Sequence, residues 1–351
     1  MNAAASASFR PLRPLRRGDT VAVVAPAGPA RPEQLALVEP LFARFGLQAR
    51  LYPSCRARHP VHDYLAGDDA LRLADLHAAL ADPAMQAVFC LRGGYGCTRL
   101  LEGIDTALVR AQGHKPLVGY SDITALHALW QREGVLSVHA PMPASDLVRD
   151  GAHGDAQALF ALLMQAPAAG PGSTREPASE LAHGVAYGLA PEPEREPERG
   201  PAPESAPELL PGAWRLPGAE GGRVSGRLLG GNLSLVAALA GTPWQIDTRG
   251  AILFLEDVSE AVYRVDRLLV QLRQAGALRA ARGFLLGSFT EDDDPTPVLR
   301  EHLGGLGKPV LFGWPAGHGR PNRPLVLGAR VTLDVAAGSL RHDEAVWAKS
   351  A

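Results

Sequence analysis

The chain has 351 residues, of which 46% are hydrophobic and 21% charged, the composition of an ordinary globular protein. Its formal net charge of −2 argues against nucleic acid as the main partner, because phosphate binding needs a basic surface. Three cysteines cannot form a paired disulfide framework. The length is that of about two domains.

The start of the chain is basic, and residues 1–19 could open a signal peptide. The apolar run after them, Val21–Ala25, has five residues, whereas the hydrophobic region of a signal peptide needs about 7–15. No stretch approaches the roughly 18 apolar residues of a membrane span. We therefore expect a cytoplasmic protein without a membrane partner.

Short apolar runs alternate with amphipathic stretches in the first half of the chain. The runs predict strands at 20–25, 47–52, 87–91, 116–120 and 136–139. Helical spacing predicts helices at 34–45, 68–80, 122–131 and 157–165. Such alternation is typical of a parallel sheet with helices on both faces.

Residues 166–222 interrupt this pattern. The segment Pro191–Pro211 contains seven prolines and six glutamates. Prolines lack the amide donor and the glutamates repel one another, so this segment should not join a packed core. We predict a Pro/Glu-rich linker or insertion over 167–222.

The alternation resumes at Gly226. Helices are predicted at 233–240 and 262–274, and strands at 251–255, 284–289 and 309–314. Two last strands, 325–327 and 330–335, are expected to form a closing hairpin. The predicted division is an N-terminal tail (1–18), a first α/β domain (19–166), the linker (167–222) and a second α/β domain (223–346).

Ser121 lies at a predicted strand-to-helix turn. This position puts its hydroxyl at the carboxyl edge of the sheet, where open α/β folds bind ligands. The amide of Asp122 would start the helix and could donate to a developing oxyanion. The local sequence Gly-Tyr-Ser-Asp has the logic of a nucleophile elbow without the G-x-S-x-G pattern. Serine is also a common helix N-cap, so this segment alone leaves both interpretations open.

A glycine-rich turn, Arg92–Gly96, follows another predicted strand. Glycines allow positive φ and a close approach of the backbone, so the turn could supply a second oxyanion donor or hold an anion. It is not a Walker A loop, since no Gly-Lys-Ser/Thr follows. An ordinary tight turn is the alternative.

A nucleophilic serine needs a base, and the base needs an orienting acid. Glu256 and Asp257 directly follow the strand at 251–255. His318 lies just past another strand, between two glycines, in a loop expected to be exposed. A solvated strand end and a surface histidine are the alternatives. With eleven histidines in the chain, spacing alone cannot pair one of them with Ser121.

Seven segments together resemble the LD-carboxypeptidase (muramoyltetrapeptide carboxypeptidase) family, which includes the microcin C immunity peptidases. They are VAVVAPAGP (21–29), LRGGYGCTRLL (91–101), VGYSDITALH (118–127), HAPM (139–142), GRLLGGNLSLVAALAGTPW (226–244), ILFLEDVSEAVYRVDRLL (252–269) and PAGHGRPNRPLVLGA (315–329). They occur in family order and cover both predicted domains. We therefore expect an α/β fold, with an N-terminal flavodoxin/Rossmann-like parallel-sheet domain and a smaller C-terminal α/β domain of the swivelling β/α type.

The resemblance implies a serine carboxypeptidase that uses a catalytic triad, with no metal and no cofactor. Ser121 falls on the family's nucleophile, His318 on its base and Glu256 on its acid. Asp257 and Glu260 are close enough in sequence to leave the choice of carboxylate open.

The implied oxyanion hole combines the amide of Asp122 with that of Gly93, with Gly94 as the alternative. A carboxypeptidase must also bind the C-terminal carboxylate of its substrate, and arginines in the matching loops could do so. The substrate-binding candidates are Arg92, Gly94, Tyr95, Arg320 and Arg323.

The implied reaction removes terminal D-Ala from a murein tetrapeptide during cytoplasmic cell-wall recycling. A homodimer is a possible assembly, since the family is commonly dimeric. An immunity peptidase acting on microcin-like aminoacyl nucleotides is one alternative, with Trp244 or Trp314 as a platform for the base. A non-catalytic peptide-binding protein is another.

Overall fold

The computed structural model describes residues 9–164, 208–290 and 293–348. Most of the predicted Pro/Glu-rich segment lies outside the described residues. Within the described ranges, the chain forms two sheets flanked by helices.

The strands alternate with helices, as the hydrophobic pattern predicts. The strands are β1 (Thr20–Val24), β2 (Gln48–Leu51), β3 (Met85–Cys90), β4 (Leu117–Gly119), β5 (Ser137–His139), β6 (Trp214–Leu216), β7 (Arg223–Asn232), β8 (Ala251–Val258), β9 (Gly283–Thr290), β10 (Val310–Phe312), β11 (Leu325–Leu327), β12 (Arg330–Asp334) and β13 (Ser339–His342). The helices are α1 (Pro32–Ala36), α2 (Val38–Arg44), α3 (Asp69–Ala81), α4 (Thr106–Ala111), α5 (Thr124–Arg132), α6 (His153–Leu163), α7 (Leu233–Ala238), α8 (Val262–Gln274), α9 (Ala277–Ala280) and α10 (Thr296–Gly304).

The first sheet has six strands in the order β11-β5-β4-β3-β1-β2. The strands β1 to β5 are parallel, and β11 pairs antiparallel with β5. Within it, the order β2-β1-β3-β4-β5 is that of flavodoxin-like folds, which bind ligands beyond the carboxyl ends of their strands. The predicted parallel-sheet fold of the first domain is therefore confirmed.

The second sheet has seven strands in the order β13-β12-β7-β8-β9-β10-β6. Its centre, β7 to β10, is parallel, and β12, β13 and β6 extend it antiparallel at the two edges. The central strand β8 is buried almost throughout, as its continuous apolar sequence requires.

Helix α5 joins the two sheets. Nearly all its residues are buried, and Thr124 at its start accepts a hydrogen bond from the amide of Asn232 in β7 (3.0 Å). Gly231, with φ +146°, must be glycine here, because a Cβ would lie 2.5 Å from Thr124 Oγ1. The carboxyl ends of β4 and β7 therefore lie next to each other.

The predicted closing hairpin is wrong. Strand β11 belongs to the first sheet, where Leu325 pairs with His139, while β12 crosses to the second sheet and pairs with β7 and β13. The physical reason is that the two strands complete different sheets, β11 at the open edge of β5 and β12 beside β7. The three residues of β11 are all buried, whereas β12 alternates between buried and partly exposed positions.

Three further predicted elements differ from the structure. Within the predicted N-terminal tail, Leu12 and Leu15 are buried, and Leu12 N–H donates to Val346 O (2.8 Å). Residues 214–216 of the predicted linker form strand β6. The predicted helix 34–45 is split at Leu37 into α1 and α2, because Pro40 lacks an amide hydrogen and its ring clashes with the carbonyl four residues earlier.

Candidate active site

Ser121 lies in a strained turn at the carboxyl end of β4. Its φ is +63°, a left-handed conformation that is uncommon outside glycine. Tyr120 before it is extended, and a 3₁₀ turn over Ser121–Ile123 leads directly into α5. A serine on a strained strand-to-helix turn is the geometry of a nucleophile elbow, which exposes the hydroxyl above the sheet.

His318 and Glu256 reach this serine from the second sheet. His318 Nε2 lies 3.1 Å from Ser121 Oγ, and His318 Nδ1 lies 2.6 Å from Glu256 Oε2. The backbone amide of His318 also donates to Glu256 Oε2 (3.2 Å). With Nδ1–H directed at the carboxylate, Nε2 is left to accept the serine proton. The structure thus brings together the three residues that the sequence places on separate loops.

Burial and the charge of Glu256 shift the pKa of His318 in opposite directions. Burial favours the neutral imidazole, but the charge of Glu256 and its hydrogen bond outweigh burial, so the pKa of His318 lies above its usual value. The side chain of His318 is only 15% exposed and that of Glu256 is fully buried. The expectation that His318 lies in an exposed loop is therefore wrong, since the loop folds back over β8 and β9.

The loop that carries His318 is fixed by polar residues outside the sequence-based candidates. Gly317 N–H donates to Asn322 Oδ1 (3.1 Å) and Gly319 N–H to Ser288 Oγ (2.7 Å). Gly317 has φ +109°, and a Cβ there would lie 2.6 Å from Glu256 Oε2. Only glycine lets the loop approach the carboxylate so closely. No local sequence signal identifies Ser288 or Asn322, because both act across the fold.

The neighbouring carboxylates, Asp257 and Glu260, form hydrogen bonds with Ser234 and not with His318. Asp257 accepts hydrogen bonds from Asn232 Nδ2 (2.7 Å) and from Ser234 N–H and Oγ (3.0 and 2.8 Å), at the start of α7. Burial, followed by the charge of Glu256, raises the pKa of Asp257 to about 6. Glu260 also faces Ser234, at 3.4 Å. Of these three carboxylates, only Glu256 bonds His318.

Gly93 lies directly against the serine. A Cβ on Gly93 would be 2.8 Å from Ser121 Cβ and 2.9 Å from its Oγ, whereas one on Gly94 would face Gly28 at 3.5 Å. The buried carboxylate of Asp122 accepts the amide of Cys97 (2.8 Å), which ties the glycine-rich turn to the elbow. Burial raises the pKa of Asp122.

The amides of Asp122 and Gly93 are available to a ligand. Neither N–H donates to another described residue. Both residues border Ser121, one by sequence and the other by contact. Two free backbone donors beside a nucleophile are what an oxyanion hole requires.

The buried Tyr120 ring packs against the imidazole of His318. The Tyr120 ring lies 4.7 Å from that of His318, and its hydroxyl donates to Asp146 Oδ1 (2.9 Å). His139 is fully buried, and its ring centroid lies 5.5 Å from that of Tyr120 and 4.9 Å from that of Phe254. Burial holds the pKa of His139 well below its usual value, so this imidazole is neutral.

Two of the arginines predicted to bind substrate, Arg92 and Arg320, already donate side-chain hydrogen bonds within the chain. Arg92 Nη1 donates to Pro29 O (3.1 Å), and Arg320 Nη1 donates to Asp150 O (2.9 Å). Tyr95, in the glycine-rich turn Arg92–Gly96, is 46% exposed. Arg323 joins the loop through its backbone amide, which donates to Pro315 O.

The described residues contain neither a candidate metal site nor a membrane-spanning helix. No group of three or more His, Cys, Asp or Glu side chains within 9–164, 208–290 and 293–348 could hold a metal ion. No helix in these ranges is both long enough and apolar enough to cross a membrane.

A serine hydroxyl, an imidazole and a buried carboxylate joined in one line of hydrogen bonds form the arrangement that activates the nucleophile in serine hydrolases. The comparisons with known proteins agree with this class. Residues 21–140 match the model of the LD-carboxypeptidase N-terminal domain, and residues 225–333 match that of the C-terminal domain. The chain therefore belongs to the LD-carboxypeptidase family and is a serine-type carboxypeptidase.

Two relatives match over nearly their whole length. A probable murein peptide carboxypeptidase of Bacillus subtilis is 34% identical, over 94% of this chain and 93% of that protein. A murein tetrapeptide carboxypeptidase of Pseudomonas aeruginosa is 31% identical, over 90% and 92%.

Solved structures show the same fold. A muramoyltetrapeptide carboxypeptidase from Oxalobacter formigenes has a TM-score of 0.70 at 27% identity and covers 92% of this chain and 97% of its own. The microcin C7 self immunity protein MccF, in complex with aspartyl sulfamoyl adenosine, has a TM-score of 0.78 at 21% identity and covers 97% of this chain and 100% of its own. The similarity to MccF concerns the fold alone.

Proposed function

We propose that this protein is an L,D-carboxypeptidase that removes terminal D-Ala from murein tetrapeptides, with Ser121 as nucleophile, His318 as general base and Glu256 as orienting acid. The observation that carries the proposal is the line of two hydrogen bonds, 3.1 and 2.6 Å long, from Ser121 Oγ through the imidazole to Glu256. The names of the Bacillus and Pseudomonas relatives support murein peptides as the substrate class.

In the first step, His318 Nε2 takes the Ser121 proton as the oxygen attacks the scissile carbonyl. Glu256 stabilises the imidazolium that forms and keeps the ring oriented. The negative charge on the carbonyl oxygen is met by the amides of Asp122 and Gly93. The imidazolium then gives its proton to the amino group of D-Ala, which leaves.

In the second step, a water molecule attacks the acyl-enzyme. His318 takes a proton from this water and returns it to Ser121 when the tripeptide is released. We place this activity in the cytoplasm, in the recycling of cell-wall peptides.

The test is release of D-Ala from a murein tetrapeptide, with an aminoacyl-sulfamoyl adenylate as the competing substrate. Wild type should release D-Ala, and Ser121→Ala should lower kcat by several orders of magnitude. Ser225→Ala is the matched control, because this serine bonds Thr332 near the opposite end of β7. Addition of EDTA should not change the rate.

Three other results of this experiment would each support a different conclusion about the protein. D-Ala release that survives Ser121→Ala would rule out the serine mechanism. Cleavage of the adenylate alone would assign the protein to the immunity peptidases. Tight binding of the tetrapeptide by wild type without any release would identify a peptide-binding protein.

A further inference from the structure

A row of four aromatic rings lies next to the glycine-rich turn Arg92–Gly96. The ring centroids are spaced 4.7 Å from His59 to His62, 5.5 Å from His62 to Tyr64 and 6.0 Å from Tyr64 to Tyr95. We call these four side chains the aromatic row. None of the roles in the proposed reaction uses it.

The exposed apolar side chains of the protein concentrate at this row. Within residues 9–164, 208–290 and 293–348, five large hydrophobic side chains are exposed, and three of them are Val61, Tyr64 and Tyr95. Tyr64 is 49% exposed and Tyr95 is 46% exposed. Single exposed apolar residues are ordinary, whereas a cluster of them marks a binding surface.

The loop that carries three of the rings is fixed by its own hydrogen bonds and by packing. His59 Nδ1 accepts the amides of Val61 and His62 (3.1 and 3.0 Å). The amide of His59 donates to the carbonyl of the buried Leu65 (3.0 Å). A Cβ built on Gly96 would lie 2.8 Å from Leu65 Cδ2, so the loop packs against the glycine-rich turn. The aromatic row is therefore preformed.

The aromatic row is continuous with the candidate active site. Gly28 N–H donates to Gly93 O (3.1 Å), and a Cβ built on Gly28 would lie 3.3 Å from Tyr64 O. Gly93 in turn lies against Ser121, since a Cβ on it would be 2.8 Å from Ser121 Cβ. Tyr95 follows Gly93 by two residues, which separates their Cα atoms by at most about 7 Å. The two exposed tyrosines thus border the nucleophile through one turn.

The chemistry of the aromatic row favours an uncharged sugar ring as its ligand. Segments 59–64 and 93–96 contain no lysine or arginine, so they offer no cation to a phosphate or a carboxylate. The flanking arginines are already bonded, Arg58 to Ala30 O, Arg92 to Pro29 O and Arg99 to Asp69. An aromatic face carries partial negative charge and attracts the C–H bonds on the face of a pyranose, while a tyrosine hydroxyl can bond the hydroxyls at its edge.

We propose that Tyr64 and Tyr95 bind the muramoyl sugar at the N-terminal end of a murein tetrapeptide. This inference rests on the proposed carboxypeptidase function and assigns residues to a part of the substrate that the reaction does not touch. In such a substrate three amino acids separate the sugar from the scissile bond, and three extended residues span about 10 Å. The scissile carbonyl can therefore lie at Ser121 while the sugar lies on the aromatic row.

The experiment compares the N-acetylmuramoyl tetrapeptide with the free tetrapeptide. Binding of both is measured by calorimetry in the Ser121→Ala background, so that recognition is tested without turnover. The ligand with the sugar should bind more tightly. Tyr64→Ala and Tyr95→Ala should each weaken its binding by about 2–10-fold and leave that of the free peptide unchanged. Tyr64→Phe should retain most of the preference, because it keeps the ring.

Tyr263→Ala is the matched control. This tyrosine is also exposed, but it lies on α8, where its ring contacts the guanidinium groups of Arg264 and Arg267. The control should leave the preference for the sugar unchanged. In the active enzyme, Tyr64→Ala should raise KM for the substrate with the sugar far more than it lowers kcat.

Equal weakening of both ligands by Tyr64→Ala would show a structural role and overturn the inference. Equal affinity of the Ser121→Ala protein for the two ligands would overturn it as well. A change of oligomeric state in Tyr64→Ala without a change in affinity would assign the aromatic row to an interface between copies of the chain. Failure of the proposed function reads differently: the enzyme would release D-Ala from neither substrate, yet the preference for the sugar would still depend on Tyr64 and Tyr95.

Discussion

Replacing Glu256 by Gln tests the coupling between the buried carboxylate and His318 with the smallest change in shape. The amide keeps the size of the side chain and removes its charge. In wild type, this charge holds the pKa of His318 above its usual value against the effect of burial. In the variant, burial remains without the charge that opposes it, so the pKa of His318 should fall.

The size of the effect follows from the contact. The Nδ1–Oε2 distance is 2.6 Å and the Glu256 side chain is fully buried. Removing one partner of a buried charged pair costs about 3–5 kcal/mol. Because the imidazolium forms only as the serine attacks, the cost falls on the transition state. At about 1.4 kcal/mol per tenfold change in rate, kcat should fall by about 10²–10⁴.

The assay is the pH dependence of D-Ala release. The acid limb of kcat/KM reports the pKa of the base in the free enzyme, so Glu256→Gln should move this limb to lower pH as well as lower the maximum. Asp257→Asn is the matched control, since it removes the adjacent carboxylate, which bonds Asn232 and Ser234. The control should shift the acid limb far less.

Two results would refute this reasoning. An acid limb at unchanged or higher pH in Glu256→Gln would show that the carboxylate does not set the pKa of His318. An equal loss of rate in Glu256→Gln and Asp257→Asn would show that the two carboxylates act through the fold and not through the imidazole.

Three further predictions concern backbone, charge and packing. Gly317→Ala should lower kcat by about 10²-fold, because a Cβ would lie 2.6 Å from Glu256 Oε2, while Gly305→Ala, with open space around it, should be neutral in the same assay. Asp257 has its pKa raised from 3.8 to about 6 by burial and the charge of Glu256. Its contribution to stability is therefore full below about pH 4 and lost as the pH rises through 6, and Asp257→Asn should flatten this decline in melting temperature between pH 4 and 7. Leu12→Ala should lower the free energy of unfolding by about 2–5 kcal/mol in urea titrations, since this side chain is fully buried.

Each of these has a contrary result. Wild-type activity in Gly317→Ala would show that the His318 loop has room to move. An unchanged pH profile of melting in Asp257→Asn would mean that this carboxyl titrates alike in the folded and unfolded chains. A loss under about 1 kcal/mol in Leu12→Ala would mean that the first residues pack weakly.

The elements that follow from local periodicity were predictable from the sequence. The helix Val262–Gln274 has the predicted bounds, because one apolar face repeats at helical spacing over its whole length. The predicted strands at 20–25, 47–52, 87–91, 116–120 and 136–139 also form, with ends that differ from the prediction by at most two residues. Strand β11 could not be placed in this way. Its position depends on which sheet has an open edge, and three apolar residues do not encode that.

The residues of the candidate site were likewise predictable from the sequence only in part. The sequence indicates that Ser121, Glu256 and His318 come after strands, and the carboxyl ends of parallel strands are where such side chains can meet. It does not show that Glu256 and not Asp257 faces the imidazole, because alternation along β8 decides the direction of each side chain.

Strand β11 has a consequence for the way this chain completes its fold during synthesis. The outer edge of β5 stays unpaired until residues 325–327 have been made, which takes roughly ten to forty seconds after β5 itself. An open strand edge is a site for pairing with other chains. The loop from β10 to β11 carries His318, so the pairing of β11 with β5 fixes one end of the loop that holds the imidazole at Ser121. Closure of the β5 edge and completion of the line of hydrogen bonds at Ser121 therefore depend on the same segment of the chain.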